Sequence, residues 1–224
     1  AGGPGQPFTG DPAECIPQGT YLASDIFKTS PDRYHGDDHT TGKIGSTQVE
    51  FSELHSEYKT TDSKGRTHWH TIFKGIFFIG DLNKEYRGRT VVLPDVAEKM
   101  FGFLGTGLQA MNKTRGQLIK LEDPEFEKEF VVYGDDQIQS RYVLTTSLMK
   151  RILDFKKKSK KDIYLSFING KIFIAISQPK NLFEPNFLKT LVNFTIIQEY
   201  FENFMLILGM VDDLNLNMRI WGKA

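Results

Sequence analysis

Two stretches of strand-like sequence, each doubled back on a glycine turn, limit what this chain can fold into more than any other feature. In TQVEFSELHSEYKT, residues 47–60, Val49 and Phe51 fall on one face and Leu54 and Tyr58 on the other. THWHTIFKGIFFIGD, residues 67–81, follows after DSKG. Lys64-Gly65 predicts a tight two-residue turn there, because glycine accepts positive φ without steric cost. Further on, DIYLSFING runs into KIFIAISQ, and Asn169-Gly170 between them is the strongest short hairpin signal in the chain. RGRTVVLP, residues 87–94, reads as a third strand.

The remaining segments read as helices or loops. TYLASDIFKTS predicts a short helix stopped at Ser30-Pro31, and PDRYHGDDHTTGKIGS, residues 31–46, a polar loop. DVAEKMFGFL predicts a helix capped by Asp95 with Glu98 as its capping-box partner. YVLTTSLMKRILDF predicts a second, preceded by Asp135-Asp136 as an N-cap. PNFLKTLVNFTIIQEYFENFMLILG, residues 185–209, predicts a long one packed across a sheet. LNLNMRIW, residues 214–221, suits a final edge strand. The expected class is α+β: an antiparallel or mixed sheet built from two hairpins, packed by about three helices including a long C-terminal one. Residues 1–17, rich in Gly and Pro, read as a flexible leader or expression remnant, and 18–224 as one domain. A weak strand–loop–helix repeat relates 86–104 to 130–155.

Totals narrow the function. The 224 residues carry 28 Lys plus Arg against 28 Asp plus Glu, so there is no surplus of cations for a nucleic-acid backbone. Cys15 is the single cysteine, which excludes an internal disulfide and a cysteine-based zinc site, and the default compartment is a reducing one. No apolar run reaches the roughly 18 residues of a membrane-spanning helix, and no stretch reads as a signal peptide.

Three of the five histidines sit in the first hairpin. His68 and His70 share a face of a strand, and a two-residue turn at Lys64-Gly65 brings Glu53, His55 and Glu57 to that same face. Zinc needs three or four ligands meeting at about 2 Å. In that register His55 stands opposite Lys74, about 13 Å from His70, and a one-residue slip moves the two sets to opposite faces. Two readings stay open. Either these are solvated residues at the outer end of a long hairpin, packed on Trp69 and Tyr58, or they form a metal or small-ligand site with His35 or His39 folded over it.

Other chemistry finds little footing. The pairs Asp37-Asp38, Asp135-Asp136 and Asp212-Asp213 fit turns and caps better than facing catalytic carboxyls. No serine stands in a G-x-S-x-G elbow. GFLGTG, residues 102–107, lacks the G-K-[ST] ending of a phosphate loop. No cofactor is expected. A basic cluster is sharper: Lys150, Arg151, Lys156, Lys157, Lys158, Lys160 and Lys161 crowd MKRILDFKKKSKKD. They fit a solvated helix C-terminus or contact with an anionic bilayer.

PDRYHGDDHTTGKIGSTQVEFSELHSEYKT, WHTIFKGIFFIGDLNK, TVVLPD, KLEDPEFEKEFVVYGDDQIQSRYVLT, IYLSFINGKIFIAIS and LNLNMRIW together resemble a bacterial domain-of-unknown-function family, some of whose members are mislabelled "galanin". The resemblance spans residues 25–221 and implies a cytoplasmic domain behind one or two hydrophobic anchoring helices, with no catalytic residues to carry over. The expectation is a non-enzymatic domain that binds a partner protein or an anionic membrane surface through Trp69, Tyr58 and the basic cluster. The alternative is the His/Glu site.

Overall fold

Both glycine turns close hairpins, and the strands they join are the spine of one nine-stranded sheet. The structure is a computed structural model describing residues 8–44, 47–82, 86–95 and 115–178. In chain order the described elements are β1 (Thr9–Asp11), α1 (Gln18–Ala23), β2 (Arg33–Ile44), β3 (Thr47–Thr61), β4 (Thr67–Asp81), β5 (Arg89–Pro94), β6 (Gln117–Leu118), α2 (Pro124–Glu129), β7 (Phe130–Gly134), α3 (Gln137–Val143), α4 (Thr146–Ser159), β8 (Ile163–Ile168) and β9 (Lys171–Ser177). The strands lie in the order β1-β2-β3-β4-β9-β8-β5-β7-β6. Every adjacent pair is antiparallel. The class is α+β, with four short helices among the described residues.

Side-chain alternation divides the core in two. On one face Phe78, Val92, Val132, Leu165 and Ile174 pack under Leu148, Ile152 and Phe155 of α4 and Phe126 of α2. On the other, Leu54, Phe73, Phe77, Val91 and Phe173 pack under Ile16, Tyr21, Ile26 and Phe27. The middle strands are therefore covered on both sides, which explains the unbroken apolar run GIFFIG in β4. Each fully buried Phe or Ile contributes about 1.5–3 kcal/mol.

Three sequence expectations change. The helix over TYLASDIFKTS stops at Ala23, because Asp25 turns left-handed (φ 59°) and sends Ile26 and Phe27 down into the core. The polar loop 31–46 supplies β2, a strand paired with β3 from Arg33–Glu57 to Ile44–Thr47. Its sequence hides it because backbone pairing with β3, and not an apolar face, holds it there. Residues 8–17 contribute β1 and the fully buried Ile16. The helix of 96–104, and with it that part of the proposed repeat, the long helix of 185–209 and the strand of 214–221 lie outside the described residues.

Capping chemistry places the helices. Asp123 accepts from the Glu125 and Phe126 amides at 3.0 and 3.1 Å, with Pro124 opening α2. Asp136 caps α3 through the Gln139 amide at 2.8 Å, so the aspartate pair starts a helix, as its position suggests. Thr145 caps α4 through Leu148, and Lys160 ends it left-handed. Asn169 and Gly170, with φ of 49° and 75°, make the β8–β9 turn.

Candidate contact ribbon

β4 is fifteen residues long, but β9 pairs with it only over Gly75–Asp81. The outer half of the β3–β4 hairpin therefore runs on past both cores. From Lys59 to Thr71 every residue except Asp62 is exposed. This outer part is a ribbon whose faces the described residues leave uncovered, with β2 along one side as far as Arg33.

The turn that closes it has three loop residues. The Gly65 amide donates to the Asp62 carbonyl at 3.0 Å and the Asp62 amide to the Arg66 carbonyl at 2.9 Å, with Gly65 at φ 78°. The Asp62 carboxylate accepts from the Lys64 and Arg66 amides, both at 2.9 Å, and from the Arg66 guanidinium at 2.8 Å. Those bonds, from Arg66 above all, hold its carboxyl below the usual range. The loop moves the pairing by one residue, so Tyr58 faces His70 and Thr60 faces His68. A bulge at Ile72 absorbs the extra residue, and Ser56–Phe73 and His55–Lys74 then pair as a regular two-residue turn would have them.

That shift decides the histidines. His35, His55, Glu53 and Glu57 lie on the face of the sheet that α2 and α4 pack, whereas His68 and His70 lie on the opposite face with Tyr58 and Thr60. The predicted set His55, His68, His70, Glu53 and Glu57 is thus split across the sheet. Each histidine has local company. His68 Nε2 lies 3.3 Å from Asp62 Oδ2, and His70 Nε2 lies 2.8 Å from Thr60 Oγ1 with its ring stacked on Tyr58 at 4.9 Å. His39 Nε2 sits 3.1 Å from Glu50 Oε2. His35 and His55 meet edge to face at 4.9 Å. His55 Nε2 is buried with no hydrogen-bond partner among the described residues, and Glu57 Oε1 stands 3.8 Å away. Desolvation lowers the His55 pKa against the opposing pull of Glu57. Among the described residues no three His, Cys, Asp or Glu side chains are placed to hold a metal ion.

Trp69, another residue singled out from sequence, is exposed on the same face as His55 and Glu57, and the Arg33 guanidinium lies 3.5 Å above its ring. Arg33 also reaches Glu57 at 3.9 Å. The ribbon thus carries an aromatic–cation pair on one face and a stacked Tyr–His pair on the other. The basic cluster is less available than its sequence implies. Lys156 pairs with Asp162, Lys157 with Glu125, and Lys161 donates to Gln178 Oε1. Lys150, Arg151, Lys158 and Lys160 lie exposed on α4 and its cap.

Sequence reading missed a second charged centre, at the inner end of the sheet. Arg115, only 3% exposed, donates to the Asp25 and Ile26 carbonyls at 2.9 Å each. Arg89 bridges Asp25 at 2.9 Å and Asp135 at 2.8 Å. These groups tie residues 25–27 to the sheet across separations of 64 to 90 residues, and no local motif announces them.

None of the described helices is long and apolar enough to cross a membrane. Residues 71–216 match the model of a family described as "Protein of unknown function (DUF3137)". The match covers more than half of the chain, which therefore belongs to that family. It begins at Thr71, inside β4, so the turn and the Trp69 segment precede the matched range. No curated protein and no solved structure matches the chain.

Proposed function

We propose that this member of the DUF3137 family is a non-catalytic binding domain, tethered to a membrane by a segment preceding residue 1 and facing the cytoplasm, that holds a partner protein through the β3–β4 ribbon. One observation carries the reading: the thirteen-residue span 59–71 projects past both cores, exposed at every residue but Asp62. Its histidines have near neighbours of their own, His68 on Asp62 beside Arg66 and His70 on Thr60. Such a surface suits contact, with Trp69 and Tyr58 supplying rigid area at low entropic cost. A protein partner is favoured over a bilayer because Lys156 and Lys157 are already paired with acidic side chains. The tether and its compartment rest on the family resemblance.

The test is site-specific photocrosslinking in cells carrying the full-length protein, with the probe at Thr60 or Lys64 and a control probe at Lys158. A discrete adduct from the ribbon positions, absent from the control, is the expected result. Adducts from Lys158 alone, together with salt-sensitive sedimentation on anionic vesicles, would move the contact to the basic helix end and overturn the proposal.

A further inference from the structure

The outer half of β4 carries the sequence Thr67-His68-Trp69-His70-Thr71, which reads identically in both directions. In an antiparallel ladder, residues opposite one another turn their backbone groups either both toward each other or both away. The Glu57 carbonyl accepts from the Asp32 amide at 2.8 Å, so Glu57 faces β2. Thr71, opposite Glu57, therefore turns its amide and carbonyl away from β3, and alternation gives Trp69 and Thr67 the same direction. No described strand pairs with this edge. The other rims of the sheet are treated differently. β1 is three residues long, and the carbonyls of Leu118 on β6 and of Lys120 just beyond it are capped by Gln137 Nε2 at 2.8 Å and Arg141 Nε at 3.0 Å. Proteins ordinarily blunt an open edge with charge, proline or brevity, yet residues 67–71 contain no Lys, Arg, Asp, Glu or Pro.

Resting on the ribbon reading above, we infer that the partner at this edge is a second copy of the chain, joined by antiparallel pairing of β4 with β4 about a two-fold axis at Trp69. The two-fold axis makes the contact isologous, and the palindrome sets like side chains opposite one another. Trp69 meets Trp69 of the other copy, and each Thr67 meets a Thr71, on the face where Arg33 stacks. His68 meets His70 on the reverse face. Aromatic and Thr–Thr cross-strand pairs both stabilise a ladder, and the electrostatics are permissive because no like-charged Lys, Arg, Asp or Glu is set opposite another within the paired stretch. Pairing over five residues buries far less than the about 1,600 Å² of a standard stable interface. The association is accordingly reversible, and concentration at a membrane favours it.

Sedimentation equilibrium over a concentration series tests this, using the full chain and its Thr67→Lys/Thr71→Lys variant. The variant sets lysine opposite lysine while altering only exposed side chains. A monomer–dimer equilibrium weakened at least tenfold in the variant is expected. In a Cys15→Ser/Trp69→Cys chain, mild oxidation should give a disulfide dimer, since facing residues in such a pair lie within disulfide reach. Wild-type protein that stays monomeric, or a dimer indifferent to the two lysines, overturns the inference. So does protection of the Thr67, Trp69 and Thr71 amides from hydrogen exchange at every dilution, which would mean that the chain fills its own edge. The ribbon reading has a separate fate: a monomer whose ribbon still crosslinks to a different protein keeps it.

Discussion

Gly75 marks the point where β4 leaves its partner β9 and the ribbon begins, and replacing it with alanine tests how the two halves are joined. Gly75 has φ 151°, and a Cβ built there would lie 2.0 Å from the Ile176 carbonyl oxygen and 2.7 Å from the Gln178 amide nitrogen. Both obstacles are backbone, so no rotamer change relieves them. The β4–β9 ladder must open locally, at a cost of about 1 kcal/mol for each lost bond, among them Gln178 N to Lys74 O at 2.8 Å. Part of the burial of Ile176, about 1.5–3 kcal/mol when complete, is lost with them. The sum is about 3–5 kcal/mol, a large fraction of the about 5–15 kcal/mol that holds a domain folded. Gly65→Ala is the natural control. That position also has positive φ, at 78°, but nothing lies within 4 Å of the added carbon, so only left-handed strain of about 1–2 kcal/mol applies. Guanidinium unfolding followed by circular dichroism measures both. If Gly75→Ala costs no more than Gly65→Ala, backbone proximity of β9 is not what demands glycine at 75, and the reasoning fails.

Three further outcomes are expected. Arg115→Met should cost about 2–4 kcal/mol in urea unfolding, because the Asp25 and Ile26 carbonyls lose their buried donors; Arg115→Lys should recover less than half of that, lacking the guanidinium fork, and limited proteolysis should show early cleavage near residue 25. Desolvation lowers the His55 pKa below its ordinary 6.5, despite Glu57 and with Lys74 and His35 adding to the effect; the unfolded chain then binds the proton more readily, so stability is full above pH 6.5, falls as the pH drops below it, and stops falling beneath the folded-state value. Thermal melts of wild type and His55→Gln from pH 7.5 to 5 should diverge in that direction, and parallel curves would contradict it. Asp62→Thr/Lys64→Asn removes the carboxylate that braces the three-residue loop and installs the Asn-Gly turn; cross-strand NOEs should then pair Lys59 with His70 in place of Trp69, and an unchanged pattern would show that the register is held elsewhere.

What the sequence made legible was whatever depends on a short stretch of chain. The hairpin at Asn169-Gly170, the strand RTVVLP and the Asp136 cap all follow from residues within a few positions of each other. β2 was not legible, because RYHGDDHTTGKI has no alternating apolar face and becomes a strand only where β3 offers a ladder. The left-handed turn at Asp25 was equally hidden: Ile26 and Phe27 read as the next turn of a helix, but Arg115 and Arg89, distant in the chain, hold that segment in an extended path.

The candidate site turned on one smaller misreading. Lys64-Gly65 correctly marked a turn, and His55 does stand opposite Lys74, but the aspartate three residues before Gly65 was the decisive signal. An Asp that can accept from two loop amides, followed by a glycine able to turn left-handed, favours a three-residue loop over a two-residue one. The added residue carries His68 and His70 across the sheet from His55 and Glu57, and the bulge at Ile72 hides the change from the core by restoring its register. Two independent constraints therefore meet in one hairpin. The core requires Phe73, Phe77 and Ile79 to face Tyr21 and Phe27, while the loop requires its own spacing, and a single bulged residue reconciles them. On the loop's side of the bulge, residues 59–71 are exposed at every position but Asp62, so the loop's own spacing displaces no side chain of the described core.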